Sequence, residues 1–375
     1  MVSAIYMDYN ATTPVRPEVA DAVARALALA GNASSVHRFG RVVRRAIEEA
    51  REKVAGLVGA SSEDVVFTSG GTEANNLAIR GAGRARVLVS AIEHASVLKV
   101  ATAEIIPVDG NGVVDRRALE TRLAADETPA LVSVMLANNE TGVIQPVADI
   151  AALARRFGAL VHCDAVQAAG RMRIDMEALG VDLLTLSAHK IGGPAGVGAL
   201  VVGARVPLKP EILGGGQERG RRAGTENTPA IVGFGVAAEC ARAGVEEFQR
   251  LAAWRDRIED RVRRIAPGAR VFGLNAPRLA NTSCLTMPGV ASETQIMDLD
   301  LAGIAVSAGA ACSSGKVQTS HVLKAMGVGA PEADCAIRVS LGWTSEETDV
   351  DRFVEAWGAL YARAGRDARI AAPAA

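Results

Sequence analysis

The sequence predicts an α/β protein, with a large domain on a mostly parallel sheet and a smaller α+β domain. Three observations predict it. Short, near-continuous apolar runs alternate with helical stretches through the first half of the chain. Strands apolar on both faces belong to a parallel sheet covered by helices on both sides. From about residue 260 the pattern changes to shorter, mixed elements, and 375 residues is enough chain for two domains. The expected division is a large domain over residues 13–260. Residues 1–12 and 261–375 would form the small one.

Residues 17–30 and 40–58 have helical composition, the second with Arg and Glu on one face and Ala, Ile and Val on the other. Strands are expected at 65–67, 87–89, 131–135, 160–163 and 183–186, with 199–202 closing the series. A crossover helix fits residues 149–157. A long Arg- and Glu-rich helix over about 242–265 ends at Pro267-Gly268. Strands around 281–287, 304–307 and 335–341 and helices around 292–301, 319–326 and 346–363 follow.

Composition excludes several classes. The 41 basic and 42 acidic residues nearly cancel, so nothing drives the chain toward nucleic acid or a membrane surface. No apolar run reaches the ~18 residues of a membrane span, and the N-terminus lacks a signal-peptide pattern. The five cysteines are widely spaced, with no CxxC pair. They suggest neither a zinc site nor a disulfide framework, and a reducing, cytoplasmic setting fits them.

Three strand ends carry chemistry. Lys190, in Ser187-Ala188-His189-Lys190-Ile191-Gly192-Gly193-Pro194, follows an apolar strand, where open α/β sheets bind ligands. A lysine there can be a plain solvated residue, or can form a Schiff base with a carbonyl cofactor. Thr68-Ser69-Gly70-Gly71-Thr72-Glu73 follows another strand and opens a helix, which suits an anion. Asp164 ends a third strand in His162-Cys163-Asp164-Ala165-Val166-Gln167, where an acid could hold a pyridine nitrogen protonated. Phosphate cup, ring acid and lysine together are the parts of a pyridoxal 5'-phosphate (PLP) site.

With these motifs, and Tyr6-Met7-Asp8-Tyr9-Asn10-Ala11-Thr12-Thr13-Pro14 at the start, the chain resembles the cysteine desulfurases. These are class-V aminotransferase relatives of PLP fold type I. The resemblance implies that Lys190 carries the cofactor. It implies that His94, in Glu93-His94-Ala95-Ser96, stacks on its ring and helps move protons. Asp164 would pair with the ring nitrogen and Gln167 with the ring hydroxyl. Gly71, Thr72, Ser187 and His189 would hold the phosphate. Asn139 would contact cofactor and substrate, and Arg338 would clamp the substrate carboxylate. Thr225 would reach the phosphate of a second subunit, which makes the site depend on a homodimer.

Among the cysteines, Cys312 alone lies in a small-residue loop, Ser307-Ala308-Gly309-Ala310-Ala311-Cys312-Ser313-Ser314-Gly315. Cys163 and Cys284 fall in strand-like segments, Cys240 in an Ala-rich helix and Cys335 just before a strand. The resemblance implies that Cys312 takes sulfur from L-cysteine as a persulfide, leaving L-alanine. It would then pass the sulfur to an acceptor such as an iron–sulfur scaffold. Cys312 is also the candidate for a transient iron–sulfur ligand. Ala308, Ala310 and Ser313 depart from the family's usual Ser, Ser and Thr, small for small. Selenocysteine lyase activity, sulfur donation to tRNA or DNA thiolation, and aminotransferase activity are the alternatives within the fold. A nucleotide-binding oxidoreductase is disfavoured because no GxGxxG follows the first strand.

Overall fold

The structure is a computed structural model and describes residues 4–100, 102–308 and 319–371, with side chains to residue 364. β1 (Ile5–Tyr6) comes first. α1 (Pro17–Leu27) starts on a proline, whose fixed φ suits the first helical position. α2 (Arg38–Leu57) is capped by His37, which accepts from the Gly40 amide. β2 (Val65–Thr68) leads into α3 (Gly71–Gly81), β3 (Arg86–Ser90) into the one-turn α4 (Ala95–Leu98), and β4 (Glu104–Ile106) into α5 (Arg116–Ala125). Next come β5 (Ala130–Met135), α6 (Val147–Arg156), β6 (Leu160–Asp164), α7 (Met176–Leu179), β7 (Leu183–Ser187) and β8 (Gly198–Val202). Then follow α8 (Thr228–Phe248), α9 (Leu251–Ile265), β9 (Thr282–Thr286), α10 (Ser292–Leu301), β10 (Ile304–Ala305) and β11 (Ser307–Ala308). The described chain ends with α11 (His321–Ala325), α12 (Ala330–Ala333), β12 (Ala336–Ser340) and α13 (Glu347–Ala371).

Seven strands form the central sheet in the order β2-β8-β7-β6-β5-β3-β4. Only β8 runs against its neighbours. β2 is antiparallel to β8 and β8 to β7, so β2 runs in the same sense as β7 and β6. The carboxyl ends of β2, β6 and β7 therefore share one edge. A second, antiparallel sheet has the order β11-β12-β9, and β1 pairs with β10.

Alternate residues of the central strands feed two cores. Phe67, Val132, Val161 and Leu184 face α2, α6 and α8. Val66, Leu131, Leu160 and Leu183 face α3. Both faces are covered, which is why these strands read as continuous apolar runs. A further core packs Ile258 and Val262 of α9 against Phe353 and Trp357 of α13, with Ile5 and Met7.

The single helix expected over 242–265 is two. α8 ends at Phe248 and α9 begins at Leu251. The reason is packing: Ala237, Ala238 and Ala241 of α8 serve the sheet's core, whereas Leu251, Ile258 and Val262 serve the other. The change of core falls at Gln249 and Arg250. No helix among the described residues is long and apolar enough to cross a membrane.

Candidate active site

A cavity of about 500 Å³ opens at the shared strand edge. Its walls include Gly71, Thr72, His94, Asn139, Asp164, Gln167, Ser187, His189, Lys190 and Arg338. Two expected site residues are not among them. Thr225 is exposed and lines a separate cavity of about 210 Å³ with Ser69, Glu218 and Arg222. Cys312 lies outside the described residues. Ser307 and Ala308, which lead toward it, line the larger cavity.

Lys190 ends a short turn, Ala188–Lys190, directly after β7. Its Nζ donates to the carbonyls of Asn10 and Ala11, both at 2.6 Å. Burial lowers its pKa to about 7, with Arg171 and Arg338 adding to the shift. An amine near neutrality at that pH is a nucleophile and a base, which a solvated lysine is not.

Asp164 is buried at the end of β6. Its Oδ2 accepts from Asn75 Nδ2 at 2.8 Å and its Oδ1 from the Val166 amide at 3.0 Å. Asn75, one turn into α3, also donates to Ser96 Oγ at 2.9 Å. Ser96 in turn meets His94 Nδ1 at 2.8 Å. Acid, amide, hydroxyl and imidazole thus form one chain along the cavity wall. Burial lowers the pKa of His94, which favours the neutral ring.

The N-terminus of α3 also lines the cavity, through Gly71 and Thr72. A Cβ on Gly71 would stand 3.0 Å from Val166 Cγ2 and 3.5 Å from Ser187 Cβ, so glycine keeps this corner open. A Cβ on Gly198 would collide with the Gly70 backbone, at 2.6 Å, so glycine lets the loop seat on β8. Glu73 fixes the loop by accepting from the Ser69 amide at 2.8 Å and pairing with Arg222 at 2.9 Å. His189 meets Thr12 Oγ1 at 3.2 Å, and burial lowers its pKa to about 4.

Arg338 enters from β12. It donates to the Asn139 carbonyl at 2.9 Å and to Asp8 at 2.6 Å. Its Nε and the Oδ1 of Asn75 are buried without a hydrogen-bond partner among the described residues. A helix N-terminus for an anion, a buried acid, an amine of lowered pKa and a flanking imidazole line one cavity, and these groups suit a flat pyridine bearing an acidic tail. The residues fit PLP.

Sequence reasoning gave no role to Asn10, Asn75 or Arg171. Asn75 did carry a signal: a polar side chain among Ala74, Leu77 and Ala78 on the buried face of α3. Asn10 and Arg171 gave none: the partners of Asn10 are distant in sequence, and Arg171 has Tyr9 and Asn10 as well as the nearby Gln167. Among the described residues no cluster of three His, Cys, Asp or Glu could hold a metal ion.

Residues 5–353 match the model of the aminotransferase class-V family. The chain belongs to that family. This class-V aminotransferase relative is 46% identical to a cysteine desulfurase of Cereibacter sphaeroides, over 94% of both chains. It is 41% identical to an IscS-like cysteine desulfurase of Mycobacterium tuberculosis, over 98% of this chain and 99% of the other. Among solved structures it is similar to a NifS-like protein from Rickettsia africae, with a TM-score of 0.90 and 36% identity over 96% of this chain and 99% of that one. The architecture is that of PLP fold type I, with a mostly parallel sheet as expected.

Proposed function

We propose that this class-V family member is a cytoplasmic, PLP-dependent, homodimeric cysteine desulfurase. It converts L-cysteine to L-alanine and supplies the sulfur, through a persulfide on Cys312, to iron–sulfur cluster assembly. One observation carries the reading. Lys190, Asp164 and Arg338 converge on one cavity whose wall, at Ser307 and Ala308, runs into the segment bearing Cys312. The cysteine desulfurases among its relatives support the substrate.

When bound, PLP supplies a carbonyl for the substrate amine and a ring that takes up electrons from Cα. Lys190 would hold the cofactor, Gly71, Thr72, Ser187 and His189 its phosphate, Asp164 its ring nitrogen and Gln167 its hydroxyl. Thr225 would serve the phosphate of the second subunit. Arg338 orients the substrate through its carboxylate, with Asn139 beside it. The neutral Lys190 amine removes the Cα proton and later returns it. His94, neutral and tied to Ser96, relays protons for the thiol steps. The Cys312 thiolate forms an S–S bond to the substrate sulfur as the substrate's Cβ–S bond breaks. The electron pair stays with the carbon skeleton, which gains protons and leaves as alanine. One thiol and one cysteine thus give one persulfide and one alanine, with no outside oxidant. Chain geometry supports the assignment: Cys312 is four residues from Ala308, a reach of at most about 14 Å.

The test is mass spectrometry of the protein after exposure to L-cysteine, with one sulfur expected on Cys312. Cys312→Ala is expected to retain the cofactor's absorption band and substrate binding while losing alanine release. Lys190→Ala is expected to lose both the band and turnover. Full desulfurase turnover by Cys312→Ala would sink the assignment.

A further inference from the structure

Arg171, in the turn after β6, is 3% exposed, yet no acid among the described residues pairs with it. It donates from Nη1 to Asn10 Oδ1 at 2.5 Å and Gln167 Oε1 at 2.7 Å, and from Nη2 to the Tyr9 carbonyl at 3.2 Å. All three acceptors are neutral. Buried cations are normally paired, because desolvation costs several kcal/mol per ion. The same network reaches the lysine. The Asn10 carbonyl accepts from Lys190 Nζ at 2.6 Å and from Gln167 Nε2 at 3.0 Å. Arg171 and Lys190 also line a common cavity of about 40 Å³ behind the site, with Tyr9 and Trp343.

We infer that Arg171 is a positioning residue that holds the Lys190 amine in its neutral, reactive form and locks the Gln167 amide beside it. The charges around Lys190 single it out. His189 shares the lysine's own turn and His94 faces it from the start of α4; burial keeps both rings neutral. Asp164 faces it from β6, Asp8 from the segment after β1, and Arg338 from β12. Asp8 is taken up by Arg338 at 2.6 Å, and Asp164 is hydrogen-bonded by Asn75. Among the described residues that act on Lys190, Arg171 is the cation left unbalanced. Burial is the first cause of the lowered lysine pKa, and Arg171 comes next.

The inference rests on the site described above and deepens that reading, but its test is independent of desulfurase chemistry. In cofactor-stripped protein, Lys190 is labelled with acetic anhydride from about pH 6 to about pH 10, and the labelled peptide is quantified by mass spectrometry. The wild-type midpoint is expected near 7. In Arg171→Met it is expected to rise by about one pH unit, a roughly fivefold fall in labelling at about pH 7. Arg171→Lys, which keeps the charge without the planar fork, is expected to stay nearer wild type. An unchanged midpoint in folded Arg171→Met overturns the inference. Where that variant does not fold, Arg171→Gln, which keeps hydrogen-bonding capacity without the charge, takes its place. A raised midpoint then supports the role, and an unchanged one overturns it. Persulfide formation is not read in this assay, so the two readings can fail separately.

Discussion

Asn75 shows how one side chain can set the chemistry of another. It is buried on α3 and holds Asp164 at 2.8 Å and Ser96 at 2.9 Å, and its own oxygen is buried without a partner among the described residues. A hydrogen bond to a charged group contributes about 1.5–3 kcal/mol. Asn75→Ala is therefore expected to weaken cofactor retention by roughly 10- to 100-fold while leaving the fold intact. Equilibrium dialysis of cofactor against the apo-protein would measure it, and an affinity equal to wild type would refute the role. At this scale the sequence was informative where a residue ends a strand. Asp164, Lys190 and the Gly70-Gly71 pair sit at three such ends, and local patterning marks those positions. Asn10 escaped because its partners, Asn139, Arg171, Thr282 and Ser340, lie more than 100 residues away.

At the scale of elements, the central strands are tied crosswise beneath the cavity. His162 of β6 meets Ser133 of β5 at 2.8 Å and Thr185 of β7 at 3.0 Å. The imidazole is fully buried, which lowers its pKa to about 4. Its pKa in the unfolded chain is about 6.5, so the unfolded state binds the proton first as pH falls. The contribution to stability is present above about pH 6.5 and is lost as pH drops toward 4, by roughly 3 kcal/mol in all. His189 is shifted to a similar value and acts with the same sign. His162→Gln removes the titration, so urea unfolding is expected to show a shallower loss of stability between about pH 6.5 and about pH 4. An identical slope in the variant would rule this out. Strands such as β5 and β6 were legible because helices cover both of their faces. β4 was not: it is three residues long, at the sheet edge, with Ile105 exposed. The first part of α8 was read only as an Ala-rich helix around Cys240, with no start. It is rich in Ala and Gly and buried around much of its surface, so no polar stripe marks its period.

At the scale of the whole molecule, the site lies where two cores meet, and Asn10 joins them. Its Nδ2 donates to the Asn139 carbonyl at 3.1 Å and to Thr282 Oγ1 at 3.0 Å. Its Oδ1 accepts from Arg171 at 2.5 Å and Asn281 at 3.2 Å. Its amide donates to Ser340 Oγ at 3.0 Å, and its carbonyl receives Lys190. Asn139, Arg171 and Lys190 belong to the central-sheet side; Asn281, Thr282 and Ser340 belong to the smaller sheet and its approach. Asn10→Ala would leave the buried Arg171 and Asn281 each short of an acceptor, while Arg338 still donates to the Asn139 carbonyl. Each uncompensated buried group costs about 1–3 kcal/mol, so a total near 3 kcal/mol is expected. The loss falls on the seam, while the apolar packing within each core is untouched. Calorimetry of the variant should therefore show more than a lower midpoint: the transition should broaden or split as the halves lose their coupling. A single transition as sharp as wild type, at the same temperature, would mean that apolar contacts alone hold the halves together. The main-chain carbonyl that receives Lys190 survives the substitution, and cofactor uptake by the variant should then match wild type.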